Sequence, residues 1–272
     1  MSVMKDLKKA VEVAKRTVLD NLDSSTIKTG EENPFGDKTL LLDQSAEDNV
    51  VEILQASDTT YSILTEEKGM IESETSPEYL IVLDPIDGSA NLERGIPLVS
   101  VGISAVPFKE RMTTDDVEIS IIDSFFTDEM YIAVSGKGAT MNGKPIKPIL
   151  ERDDPRIIIS YDTKKDLGTD FGRQSLQTLQ SVHDMRRTGS NLLDLCWTAA
   201  GALDAMIDFR DILPIVHVSG THMVFEAGGY VLDATGVRFC QSFDMNKRMS
   251  FVAARDENLA RSLHNAFMNI DS

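Results

Sequence analysis

Leu83-Asp84-Pro85-Ile86-Asp87-Gly88-Ser89-Ala90-Asn91 continues an apolar, strand-like run, Tyr79-Leu80-Ile81-Val82-Leu83. Two carboxylates stand three residues apart with a proline between them, and a glycine and a hydroxyl residue follow at once. A strand, an acidic turn and small residues opening a helix form the layout of a metal-phosphate site. Carboxylate oxygens hold hard divalent cations, and free N–H groups at a helix start bind phosphate oxygens. Pro85 fixes its own φ and restrains its neighbour, which holds the two aspartates rigidly relative to each other.

Two further acids, Asp43 and Glu66, precede turns or strand ends in the same half of the chain. Together with Asp84 and Asp87 they make the set a divalent-metal phosphatase needs, in which carboxylates hold metals and the metals clamp the phosphate. Metals in a two-metal site lie roughly 3.5–4 Å apart, so a shared carboxylate is useful, and Asp84 is placed to bridge. Ser89 is positioned to orient a nucleophilic water and Asp43 to take its proton. Gly88 lets the backbone approach phosphate closely. The chain has 44 acidic residues, so any one of them reads first as surface or cap; the combination carries the argument.

Around this centre, Met4, Leu7, Val11, Ala14, Val18 and Leu22 recur at helical spacing and predict an amphipathic N-terminal helix. Lys28 to Lys38 is polar and reads as a loop, followed by a helix to about Gln55. Strands are expected at 60–64, 98–106, 117–122, 129–134, 157–160, 230–232 and 251–254. Gly136-Lys137-Gly138-Ala139 is a β-turn rather than a phosphate loop, since it lacks the GKS/T ending. Asn191 to Met206 reads as one buried helix, 220–227 as another ending at Gly228-Gly229, and Leu259, Leu263 and Phe267 mark a closing helix. Polar Glu151 to Arg156 divides the chain into residues 1–150, carrying the metal site, and 151–272, contributing the substrate pocket of one compact unit. Mixed strands and helices predict stacked α and β layers.

A chain of 272 residues suffices for a sizeable core. The net charge of −17 argues against a nucleic-acid backbone binder, which would carry a basic face. It leaves anionic substrates open, because bound metal ions invert the local field. No apolar run approaches the roughly 18 residues needed to span a bilayer, and the start lacks the apolar core of a secretion signal. Cys196 and Cys240 stand far apart in no CxxC pattern, as expected of a reduced cytosolic protein.

Over nearly its whole length the chain resembles the inositol monophosphatase family, in the superfamily that includes fructose-1,6-bisphosphatases. The resemblance rests on Asp84-Pro85-Ile86-Asp87-Gly88-Ser89, a DPIDG(T/S) signature, and on Thr65-Glu66-Glu67 upstream. Gly36-Asp37-Lys38-Thr39 followed by Asp43, the turn from Ala139 to Ile146, and Glu226-Ala227-Gly228-Gly229 match it too. The resemblance implies an α/β fold, a five-layered α-β-α-β-α sandwich. It implies Mg²⁺, with Mn²⁺ as the alternative, held by Glu66, Asp84, Asp87 and the backbone carbonyl of Ile86. Asp43, Ser89 and Glu66 would be catalytic. Asp87, Gly88, Ser89 and Ala90 would hold phosphate, and Asn191, Asp208, Ser190 and Arg187 would contact or flank the organic part. A cytoplasmic homodimer, inhibited by lithium and acting on a small phosphorylated polyol or sugar, completes the expectation. Inositol monophosphate and fructose 1,6-bisphosphate are the first candidates.

One family signature is broken. Counting back ten residues from Glu226, where the family carries a metal-binding aspartate, gives Val216. Three readings follow: an enzyme managing with a weaker second metal, substitution by His217 or Asp211, or a catalytically weak or inactive relative acting as a phosphorylated-ligand binding or regulatory protein. On a helix start His217 would point about 100° away from position 216, and imidazole suits softer metals better than Mg²⁺. The remaining histidines, His183, His222 and His264, read as surface or hydrogen-bonded residues.

Overall fold

A computed structural model describes residues 2–34, 38–151, 153 and 155–268. Gly36 and Asp37 of the upstream motif lie outside the described residues, as do Arg152 and Asp154 of the segment between the two halves. The elements run α1 (Ser2–Asp20), β1 (Lys28–Glu32), β2 (Lys38–Leu40), α2 (Leu41–Gln55), β3 (Tyr61–Thr65), β4 (Gly69–Ile71), β5 (Tyr79–Asp87), α3 (Ser89–Glu93) and β6 (Ser100–Pro107). Next come β7 (Ile119–Ser124), β8 (Met130–Val134), β9 (Gly138–Met141), β10 (Lys144–Ile146), β11 (Ile158–Tyr161), α4 (Gly168–Gln180), β12 (Asp184–Met185) and α5 (Asn191–Ala199). The chain closes with β13 (Ala205–Pro214), α6 (Val218–Glu226), β14 (Tyr230–Asp233), β15 (Arg248–Ala254) and α7 (Glu257–Met268).

Strands β3 to β10 form one eight-stranded sheet, ordered β10-β9-β8-β7-β6-β5-β3-β4. Strands β11 to β15 form a five-stranded sheet, ordered β12-β11-β13-β15-β14. Helices α1 and α2 pack on the outer face of the larger sheet, α5 and α6 lie between the two sheets, and α4 and α7 cover the far face of the smaller one. The order is therefore α-β-α-β-α, the five-layered sandwich expected. No helix among the described residues is long and apolar enough to cross a membrane.

The larger sheet is covered by helices on both faces, so its central strand is apolar throughout rather than alternating. Successive side chains of a strand still point to opposite faces. In β5, Ile81 and Leu83 join the core beneath α1 and α2, where Leu7, Val11, Ala14, Val50 and Leu54 are also buried. Leu80 and Val82 join the core shared with α5 and α6. That alternation aims Asp84 toward the middle layer. By the same rule Asp87, three residues on, would face the other way. Pairing of β5 with β6 slips between Asp84 and Asp87, at Pro85, which has no N–H to give the ladder. The slip turns both carboxylates toward one place.

Three expectations need correction. Lys28–Lys38 is not all loop, since β1 occupies its first five residues and pairs antiparallel with β2, which begins at its end. The helix expected over 191–206 stops at Ala199, and strand β13 begins at Ala205; Gly201, at φ +78°, turns the chain between them. Helix α4 has no counterpart among the sequence expectations: it packs Phe171 and Leu179 on the core, but the residues it buries fully, Ser175 and Thr178, are polar and interrupt the stripe.

Candidate active site

The end of β5, the starts of α2, α3 and α5, and the segment from Arg210 to His217 enclose a cleft of about 540 Å³. Asp43, Glu66, Asp84, Ile86, Asp87, Gly88, Ser89, Ala90 and Asn191 all line it. The structure thus gathers residues scattered over 149 positions of sequence, 43 to 191, into one concavity.

Asp84 and Asp87 are both buried. Oδ1 of Asp84 accepts the backbone N–H of Ile86 at 3.0 Å, closing a tight turn over Pro85. Oδ2 of Asp84 is buried without a hydrogen-bond partner. Burial, then the nearby charge of Asp87, pushes the Asp84 carboxyl well above the usual carboxylate range. Asp87 is handled differently, by the start of α5. It accepts the N–H groups of Asn191 at 3.1 Å and Leu192 at 2.7 Å, together with the Ser190 hydroxyl. Burial works against its charge, but a hydrogen bond and charge from His217 and the donors of α5 hold it below the ordinary value.

Glu66 follows β3 and is pushed well above its ordinary range by burial and by the charge of Asp84. The turn that carries it is held from below by Glu47, which was not foreseen. Glu47 accepts from the Thr65 hydroxyl and from the Glu67 N–H, the latter at 3.0 Å. Asp43 sits in the first turn of α2, where it accepts the Leu40 N–H at 3.3 Å. Its other oxygen accepts from the Ser89 hydroxyl at 3.4 Å, and that hydroxyl also lies 3.1 Å from the Ile86 carbonyl. Burial, then the charge of Glu67, raises Asp43 to about 7. Gly88 bends the chain into α3 at φ +102°. A side chain there would begin 3.0 Å from the Leu98 carbonyl oxygen.

His217 changes the reading of the broken signature. Its Nε2 lies 3.2 Å from Oδ2 of Asp84 and 3.5 Å from Oδ1 of Asp87. The three ligand atoms all fall within 4.8 Å of one another. Val216 instead is fully buried in the core shared with α5 and α6. The two side chains do diverge, as helical geometry required, but position 216 is the one turned away. Residues 215–217 form a 3₁₀ turn ahead of α6. Asp211, the other substitute considered, is exposed and does not line the cleft. Burial disfavours charge on His217, but the hydrogen bond and charge of Asp87, then the charge of Glu66, raise its pKa.

Two expected substrate contacts are not placed at the cleft. Asp208 is fully buried, and Arg210 occupies both its oxygens, at 2.9 Å through Nε and 2.6 Å through a terminal nitrogen. Arg187 turns away from the cleft to pair with Asp162 and, at 3.7 Å, with Asp194. The residue of this network that does reach the cleft is Arg210; Lys28 and Lys164 line it as well. Asn191 is placed as expected, with Oδ1 buried and without a hydrogen-bond partner. His222, by contrast with His217, is an ordinary hydrogen-bonded histidine, 2.8 Å from the Ser120 hydroxyl.

The donor set fits a divalent cation. A buried carboxylate oxygen without a partner, a second carboxylate and an imidazole nitrogen point at one spot, where a cation would satisfy all three.

Comparison with known proteins agrees. The profile of the inositol monophosphatase family matches residues 2–270. The fructose-1,6-bisphosphatase of Pyrococcus furiosus is 30% identical over 232 residues, 85% of this chain and 84% of that protein. The Nus factor SuhB of Escherichia coli K12 is 31% identical over 198 residues, 72% of this chain and 71% of that one. A solved inositol monophosphatase–fructose 1,6-bisphosphatase superposes with a TM-score of 0.83 at 27% identity, covering 98% of this chain and 100% of the other.

Proposed function

This chain belongs to the inositol monophosphatase family, and from that premise we propose that it is a divalent-metal phosphomonoesterase acting on a small phosphorylated polyol or sugar. Inositol monophosphate and fructose 1,6-bisphosphate are the leading substrates, in keeping with relatives named for those activities. The carrying observation is that Asp84, Asp87 and His217, whose ligand atoms lie close enough to hold one metal ion, line the same cleft as the Asp43–Ser89 pair.

When bound, divalent cations supply positive charge to the phosphoryl oxygens and acidify water in their shell. Glu66, Asp84 and the Ile86 carbonyl, which the family resemblance implies as ligands, would offer an all-oxygen donor set suited to Mg²⁺. Asp87 completes the acidic floor. Ser89 has one hydroxyl hydrogen to give to the Ile86 carbonyl at 3.1 Å or to Asp43 at 3.4 Å, and in either case its oxygen keeps lone pairs to accept from an attacking water. Asp43 is the acceptor for the proton that water gives up. The first turn of α3 presents the N–H groups of Gly88, Ser89 and Ala90 to phosphate. On the organic side, Asn191 Oδ1 offers an acceptor to a substrate hydroxyl, and Arg210 and Lys164 supply positive charge facing the anionic ligand. The unpaired Cys196 and Cys240 fit a reducing, cytoplasmic setting, and the family resemblance supports a homodimer.

Phosphate release by the purified chain tests the proposal, with Mg²⁺, Mn²⁺ or a chelator, on inositol phosphates, sugar phosphates and fructose 1,6-bisphosphate. Metal-dependent release from one of these is expected. Silence across the panel with either metal would refute it.

A further inference from the structure

We propose that Nε2 of His217 is a metal ligand, and that the position it shares with Asp84 and Asp87 selects a borderline first-row dication, of the Mn²⁺ to Zn²⁺ series, over Mg²⁺. The inference rests on the phosphomonoesterase reading for its place in catalysis, though the metal binding itself can be measured separately.

Spacing is the first argument. Metal–ligand bonds of about 2.1 Å put neighbouring donors of a tetrahedral or octahedral shell roughly 3.0–3.4 Å apart. Nε2 stands 3.2 Å and 3.5 Å from its two carboxylate oxygens. The second argument is the tautomer. Nδ1 of His217 lies 3.3 Å from the Pro214 carbonyl oxygen. A carbonyl only accepts, so Nδ1 carries the hydrogen, and in the neutral ring the Nε2 lone pair is left for a cation. The third is the buried Asp84 Oδ2, beside Nε2 yet without a hydrogen-bond partner. Asp84 Oδ2 and Nε2 stand 3.2 Å apart with no hydrogen bond between them, two donors that one cation would join on displacing the proton Nε2 offers Asp87.

The metal preference follows from the donor types. Two carboxylates and a neutral nitrogen carry one negative charge fewer than three carboxylates. Mg²⁺ binds mainly through charge and prefers oxygen, so it loses most by that exchange. Imidazole nitrogen suits the later first-row ions, whose affinity climbs from Mn²⁺ toward Cu²⁺. The all-oxygen set of Glu66, Asp84 and Ile86 keeps its affinity for Mg²⁺. The position at His217 would therefore differ in metal preference from the all-oxygen one that the family resemblance implies.

The test uses the full chain stripped of metal with a chelator, loaded with Mn²⁺ and read by pulsed electron paramagnetic resonance. Of four histidines in the sequence, only His217 lines the cleft, so coupling from a directly bound nitrogen reports this residue. Expected are that coupling and a requirement for about a hundredfold excess of Mg²⁺ to displace half the Mn²⁺. His217→Asp should abolish the coupling and lower the required excess by roughly tenfold or more. Bound Mn²⁺ without nitrogen coupling would overturn the inference and leave an imidazolium paired with two carboxylates in its place. So would an unchanged Mg²⁺ excess in His217→Asp. If that variant fails to fold, the coupling in the natural chain decides alone. Phosphate release without nitrogen coupling would sink this inference and spare the phosphatase reading; coupling without release from any phosphate ester would do the reverse.

Discussion

Val216→Asp separates the two frames in which the broken signature can be read. If position 216 faced the cleft, the substitution would restore a missing metal ligand. The structure places Val216 at 0% exposure among apolar side chains, so the new carboxyl enters the core instead. Losing the burial of valine costs about 1.5 kcal/mol or more. Burying a carboxyl group without a hydrogen-bond partner adds at least about 2–3 kcal/mol, even when it is protonated. The sum, about 4 kcal/mol, is a large part of the roughly 5–15 kcal/mol that keeps a domain folded. At about 2–4 °C per kcal/mol, the thermal midpoint should fall by roughly 8–16 °C. Differential scanning calorimetry of the metal-free chain, with Mg²⁺ titrated in parallel, makes the measurement. A variant that melts within about 2 °C of the natural chain and binds Mg²⁺ more tightly would refute the placement of His217 in the site.

Gly88→Ala should strain the entry to α3, because its φ is +102° and the new methyl would meet the Leu98 carbonyl at 3.0 Å; a loss of about 1–3 kcal/mol by urea unfolding, with a raised KM, is expected, and a neutral result would discount the turn. Arg187→Met should destabilise by about 1–2 kcal/mol, because the buried Asp162 and Asp194 lose a partly exposed partner while Asp162 keeps Arg210, yet leave KM unchanged; a raised KM with intact stability would return Arg187 to the substrate pocket. Burial lowers His222 to about 4 from an ordinary 6.5. The folded chain therefore favours the neutral ring, and its stability holds above pH 6.5 and declines as pH falls toward 4. The decline is worth about 3 kcal/mol. In His222→Gln that part of the acid sensitivity should vanish, which unfolding curves between pH 4 and 7 would show; an unaltered slope would reassign it.

Much of this was legible in the chain because chemistry and periodicity coincided. Leu7, Val11, Ala14 and Val18 mark α1 by spacing alone, and all are buried. The β5 run and the Asp84–Ser89 string located the cleft, since a proline between two aspartates admits few backbone paths. Legibility ended where a contact depends on two elements far apart in sequence. Glu47, mid-helix in α2, looks like any surface acid, and only the packing of α2 on β3 puts it beneath Glu66. Arg210 and Asp208 are two apart on β13 and bond to each other, which removed Asp208 from the pocket and put Arg210 in it. The frame of His217 turned on a single 3₁₀ turn, below the reach of counting between motifs. Helix α4 sets its apolar Phe171 and Leu179 around polar buried residues, Ser175 and Thr178, which hides its period.

The central claim is that Asp43 and Ser89 handle water for phosphate hydrolysis in this cleft. Phosphate release by Asp43→Asn, compared with the natural chain at equal, measured metal content, tests it most directly. Turnover by the natural chain and a loss of about 10²-fold or more in the variant are expected. Equal rates in the two proteins would contradict it.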